Sequence, residues 1–167
     1  HEDIESLVYE DEDQQQAQDI AEQGKTELDA GNYDKAVETL ERALDMDPDM
    51  VYARNNLALA LFLNDDLEKA KQQARIVLAD NPDNIHALCN LSIFCDVKSG
   101  DPEAVKCFKK VRDAETDQPD EVYKIALTMC EAGDDKAALY RFETALDFRP
   151  YDVRTLFCAG AACYNLG

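Results

Sequence analysis

Apolar and polar residues along this chain follow a helical period from about residue 14 onward, with apolar side chains three and four positions apart. The same arrangement returns at a fixed interval. Blocks at 32–36, 66–70, 100–104 and 134–138 end in Ala36, Ala70, Ala104 and Ala138, a spacing of 34 each time. A period of that length marks a helix-turn-helix repeat. With unit starts at Ala17, Val51, Ile85, Pro119 and Val153, the eighth residue is always small: Gly24, Ala58, Ser92, Ala126 and Gly160. The twentieth is alanine, and the twenty-seventh is Ala43, Val77, Val111 or Ala145. Small residues at fixed places let two helices approach closely, as ridge-into-groove packing requires. Leu57, Leu61, Leu88, Leu91, Phe108, Ile125, Phe142 and Leu156 are the expected large core residues.

The punctuation agrees with this phase. Gly31, Gly100 and Gly133 fall between the two helices of their units, where a positive φ is cheap only for glycine. Pro48, Pro82 and Pro150 close units by stopping the second helix. The segments Asp47-Pro48-Asp49 and Asn81-Pro82-Asp83 supply caps, as do the pairs Asp65-Asp66 and Asp134-Asp135 in the inter-helix turns. The pattern predicts helices over 16–30, 33–46, 50–63, 67–80, 84–98, 101–114, 119–132, 135–148 and 152–166.

These residues carry a resemblance. The stretch 30–48 (AGNYDKAVETLERALDMDP) resembles the tetratricopeptide repeat throughout, and the likeness extends over about nine-tenths of the chain. It implies an all-α solenoid, a right-handed superhelix of four full repeats (17–50, 51–84, 85–118, 119–152) and the first helix of a fifth (153–167). Departures are informative. Gln23 and Glu27 stand where apolar residues are usual, so the first unit reads as a partly exposed cap. Arg54 replaces a bulky apolar residue. The third unit has Thr116 where a closing proline is expected and Pro119 instead, so a distorted link is predicted there.

Composition narrows the function. Net charge is −19, and the longest basic cluster is 109–112 (KKVR), so the stripe that phosphate binding requires is missing. The acidity reads first as solvated helix faces along the whole chain, and second as a preference for basic partners. Residues 1–13 form an acidic arm around an apolar patch of Ile4, Leu7, Val8 and Tyr9. No apolar run of about 18 residues predicts a membrane span. The six cysteines have no CxxC spacing and mostly occupy apolar helix positions, which points to a reducing cytoplasm, and the expected source is bacterial. No phosphate loop, nucleophile elbow or HExxH motif is present, so neither an enzyme, a cofactor nor a metal site is predicted. His86 with Cys89 and Cys130 falls short of the tightly spaced ligands of structural zinc.

The resemblance implies a concave face lined by the first helix of each unit, where the family holds extended peptides or a partner's helix. Positions matching that face are Tyr52, Asn55, Asn56, Leu59, Phe62, Leu63, His86, Cys89, Asn90, Ile93, Val97, Tyr123, Lys124, Leu127, Arg154, Phe157 and Cys158. The amides of Asn56 and Asn90 are expected to hold a ligand backbone while Leu59, Phe62, Ile93 and Leu127 read its side chains. A chaperone carboxylate clamp is not predicted. Its positions fall on Ala21, Lys25, Asn56, His86 and Asn90, and only Asn56 keeps the expected type. The alternative function is a structural or oligomerisation domain. Residues 153–167 carry Leu156, Phe157, Ala159, Ala162, Cys163 and Leu166 rather than a polar outer face, so this end is expected to continue, to self-associate or to pack within a larger protein.

Overall fold

In the computed structural model, the described backbone covers residues 2–167 and the described side chains cover residues 12–167. Among these residues every regular element is helical: α1 (Glu2–Asp29), α2 (Tyr33–Met46), α3 (Val51–Leu63), α4 (Leu67–Asp80), α5 (Ile85–Phe94), α6 (Pro102–Asp113), α7 (Pro119–Glu131), α8 (Asp135–Phe148) and α9 (Val153–Leu166). The chain divides into two compact units, His1–Asp80 with α1–α4 and Asn81–Gly167 with α5–α9. Within the first, α1 packs on α2, α2 on α3 and α3 on α4. Within the second, α5 packs on α6, α7 on α8, and α8 on α9.

The repeat pattern explains this packing. Ala36, Ala70, Ala104 and Ala138 are all fully buried, and so are Ala43, Val77, Val111 and Ala145 to within a few per cent. At the eighth position Ala58, Ser92 and Ala126 are fully buried. A Cβ on Gly24 would meet Leu40 Cγ at 2.6 Å, so that crossing admits no side chain. Leu57, Leu61, Leu88, Leu91, Ile125 and Phe142 line the core as expected. Phe108 is only half-buried, and its neighbour Cys107 takes the inner place. Leu156, an expected core residue, is 46% exposed on α9.

Three of the four inter-helix turns share one mechanism. Gly31, Asp65 and Gly133, 34 residues apart in register, have φ of 79°, 62° and 83°. In each turn the next N–H reaches back five residues, from Asn32 to Glu27 O, Asp66 to Leu61 O and Asp134 to Met129 O. This is the Schellman closure, which satisfies carbonyls left over at a helix end. Asp65 was not foreseen in this role. It occupies the glycine slot because aspartate tolerates the left-handed region better than most residues.

The third unit breaks the rule. Helix α5 ends at Phe94 rather than near 98, Asp96 turns left-handed at φ 54°, and a short 3₁₀ turn follows over Val97–Ser99. The glycine slot shifts one residue, to Gly100 with φ 80°. Asp101 then caps α6 by accepting from Glu103 N and Ala104 N at 2.9 and 3.0 Å, and Pro102 takes the first helical position, where its missing N–H costs nothing. The predicted distortion of the link is also present. Residues 114–118 are non-helical, and the Thr116 hydroxyl accepts from Gln118 N and donates to Glu121.

At the N-terminus, α1 starts at Glu2 rather than near residue 16. No glycine or proline interrupts the run before Gly24, and acidic residues early in a helix favour its dipole. The patch of Ile4, Leu7, Val8 and Tyr9 lies outside the described side chains. Glu27 is not the exposed cap residue expected from its polarity. It is 9% exposed, and Oε2 accepts from the Thr39 hydroxyl at 2.6 Å. A polar pair thus fills an apolar slot. Arg54 also spans its repeat, donating to Gln73 Oε1 at 2.9 Å and to the carbonyl of Pro48.

Candidate functional site

Helix α3 carries the face of interest in the N-terminal unit. It buries Ala53, Leu57, Ala58, Ala60 and Leu61, which leaves Tyr52, Asn55, Asn56, Leu59 and Phe62 partly exposed on another side. Positions 52, 56 and 59 follow the three- and four-residue spacing of one helix face. Tyr52 Oη donates to Glu22 Oε2 on α1 at 3.1 Å, tying the two helices together. Burial, with the nearby Glu22 and Asp29 charges, pushes the Tyr52 phenol up to about 12. Asn56 Nδ2 donates to the Tyr52 carbonyl at 3.0 Å, so its amide is already oriented by its own helix.

In the C-terminal unit the corresponding positions lie on α5, α7 and α9. His86, Ile93, Tyr123, Lys124 and Leu127 are half-buried. Asn90 is 2% exposed and Cys89 fully buried, so neither presents a group to an incoming ligand. Val97 belongs to the 3₁₀ turn and not to α5. Burial, reinforced by the Lys124 charge, holds the His86 imidazole below its usual range and favours the neutral ring. Burial also pushes the Cys89 thiol up to about 11, which makes it unreactive as a nucleophile. Tyr123 gathers three neighbours. Its hydroxyl lies 3.7 Å from Cys158 Sγ, its ring centroid lies 5.9 Å from that of Phe142, and the Arg154 guanidinium stands 5.7 Å from the same ring. These contacts join α7, α8 and α9.

Two features escaped sequence reasoning. The first is Glu22, whose position on α1 matches the face but whose tie to Tyr52 spans 30 residues. The second is a cluster of Cys95, Asp101 and Glu103 with ligand-type atoms within 4.8 Å of one another. It closes the irregular third-unit turn, and it is not the His86–Cys89–Cys130 grouping considered from sequence. Charge is also less even than the whole-chain figure suggests. Residues 1–80 hold 21 acidic and 7 basic side chains, against 15 and 10 in residues 81–167. Among the described residues, no helix is long and apolar enough to cross a membrane.

Comparison with known proteins settles the family. The tetratricopeptide repeat family matches residues 22–85. The TPR repeat-containing protein YvcD of Bacillus subtilis (strain 168) is 33% identical over 130 residues, covering 78% of this chain and 26% of that protein. The chain belongs to the tetratricopeptide repeat family. Solved structures agree on the fold. PilF of Pseudomonas aeruginosa superposes with a TM-score of 0.60 at 21% identity, covering 90% of this chain and 69% of that one. MamA of MSR-1 gives 0.53 at 22% identity, covering 91% and 87%. The tetratricopeptide repeat chain spans about a quarter of the length of the curated relative it matches. Tetratricopeptide repeat proteins are generally protein-interaction scaffolds.

Proposed function

We propose that this tetratricopeptide repeat chain is a binding module rather than an enzyme, and that it receives an extended partner segment on its first-helix faces. The observation that carries this reading is the α3 face. Tyr52, Asn56, Leu59 and Phe62 stay partly exposed on a helix whose other sides are packed. Apolar side chains beside oriented polar groups are the usual make-up of a peptide-binding surface. In the second unit His86, Ile93, Tyr123, Lys124 and Leu127 take the matching role. The burial of Asn90 leaves the two-asparagine scheme with Asn56 alone. The acidic balance favours basic partners and an association rate that falls with added salt. The six cysteines are thiols with no disulfide among them, which supports a reducing cytoplasm, and the bacterial relative supports a bacterial source. The test compares proteins retained by the chain with those retained by a Leu59→Ala, Phe62→Ala variant of unchanged helicity. Loss of the same specific band is expected, and equal retention refutes the reading.

A second reading rests on α9, where Val153 is 75% exposed, Phe157 77% and Tyr164 87%. With Leu156 beside them at helical spacing, they make an apolar face suited to self-association. Sedimentation across a range of concentrations tests it: a concentration-dependent dimer supports it, and a monomer throughout refutes it.

A further inference from the structure

One carboxylate on the α1–α3 face of the N-terminal unit differs from its neighbours. Asp29 is paired with Lys25 in the same helix. Glu22 is held by neutral donors only: Gln18 Nε2 reaches Oε1 at 3.2 Å and Tyr52 Oη reaches Oε2 at 3.1 Å. Among the described residues no cation pairs with it, and it is exposed. Donors from two helices fix the orientation of the carboxylate without neutralising its charge, and each oxygen keeps a further lone pair. The Tyr52 side chain beside it belongs to a residue that is 38% exposed. From Tyr52 the α3 face continues through Asn56 to Leu59 and Phe62. The whole sits in the unit that holds most of the excess negative charge.

A fixed anionic acceptor beside an aromatic ring suits a planar cation. Arginine pairs with a carboxylate through its rigid fork of donors and stacks on a tyrosine ring in the same pose, whereas lysine offers a point charge. We propose that Glu22 and Tyr52 form the seat of an arginine side chain carried by the partner segment. This proposal rests on the reading that the α3 face takes such a segment. The neighbouring Leu59 and Phe62 receive the apolar residues that follow the arginine, and Asn56 lies between the two subsites.

Peptides selected from a random dodecapeptide phage library on the full chain supply the probe. Each recovered peptide is synthesised with arginine, and again with citrulline, which has the same shape and no charge. Binding is read by fluorescence anisotropy. Citrulline is expected to weaken binding to the native chain by about three- to ten-fold, the range for a partly exposed ion pair with a stacked ring. Against Glu22→Gln, which keeps an oxygen to accept from Tyr52, the penalty should fall by about two-fold or more, to the part that the Tyr52 ring supplies, because the charge coupled to Glu22 is gone. An equal penalty on both proteins, or selected peptides without enriched arginine, overturns the arginine seat. Binding that Leu59→Ala with Phe62→Ala leaves intact overturns the face reading itself, so the two failures are distinguishable.

Discussion

Gly24 and Gly160 hold the same place in the repeat, yet alanine should have opposite effects at the two. At Gly24 the added Cβ would lie 2.6 Å from Leu40 Cγ and 2.8 Å from Cδ2. Leu40 is fully buried, so it has no free space to swing into. At Gly160 nothing stands within 4 Å. Alanine in place of glycine inside a helix gains about 1 kcal/mol from backbone entropy. Overpacking a filled site costs about 1–3 kcal/mol. Gly24→Ala should therefore lose a net of about 1 kcal/mol, while Gly160→Ala keeps the gain, reduced where the terminal turns fray. For a chain of 167 residues, 1 kcal/mol moves Tm by about 2–4 °C. Thermal unfolding followed by far-ultraviolet circular dichroism resolves this, with the urea midpoint as a second measure. The expected result is a lower Tm for Gly24→Ala and a raised or unchanged Tm for Gly160→Ala. If both substitutions stabilise equally, the α1–α2 crossing is not closed by contact, and the reasoning that places small residues at the eighth position is refuted.

Thr39→Val should destabilise the chain by about 1.5–3 kcal/mol in urea unfolding, because Glu27 loses its buried donor, and adding Glu27→Leu should recover much of the loss. Asp101→Ala removes a side-chain cap with two acceptor contacts and should cost about 1 kcal/mol. Asn32→Ala, where no side-chain cap bond exists, should cost less by the same assay. A maleimide probe followed by mass spectrometry should label exposed Cys163 first and Cys89 only on unfolding, since Cys89 is fully buried with its thiol pushed up to about 11. The Tyr52 phenol is raised from about 10 when unfolded to about 12 when folded. Its contribution to stability is therefore complete below about pH 10 and is lost as pH climbs toward 12. Tyr52→Phe should flatten the fall of the urea midpoint across that window.

Repeat architecture, helix order and most of the core were legible because each rests on residue size at a fixed register. Alanine at 36, 70, 104 and 138 admits one kind of packing, and all four are buried. What the register hid falls into two physical kinds. Local backbone choices with more than one solution were misread: Asp65 took a left-handed position without being glycine, and α5 ended early because the turn shifted to Gly100. Polar residues whose partners lie far along the chain were misread as well. Glu27 is polar in an apolar slot and is buried because Thr39, twelve residues on, satisfies it. Glu22 had no visible role until Tyr52 was placed against it. Asn90 shares a repeat position with Asn56 and yet is buried, which the alignment of units does not reveal. The binding face was therefore legible as a set of positions, but not as a set of reachable groups.

The central claim is that the α3 face and its matching first helices receive a partner segment. Its most direct test is a titration of the ¹⁵N-labelled chain with a selected peptide, followed by amide chemical shifts. The largest changes should cluster at Glu22, Tyr52, Asn56, Leu59 and Phe62, with smaller ones at the first-helix positions of the second unit. Changes confined to the exposed residues Tyr140 on α8 and Tyr164 on α9, outside the first-helix face, would contradict the claim.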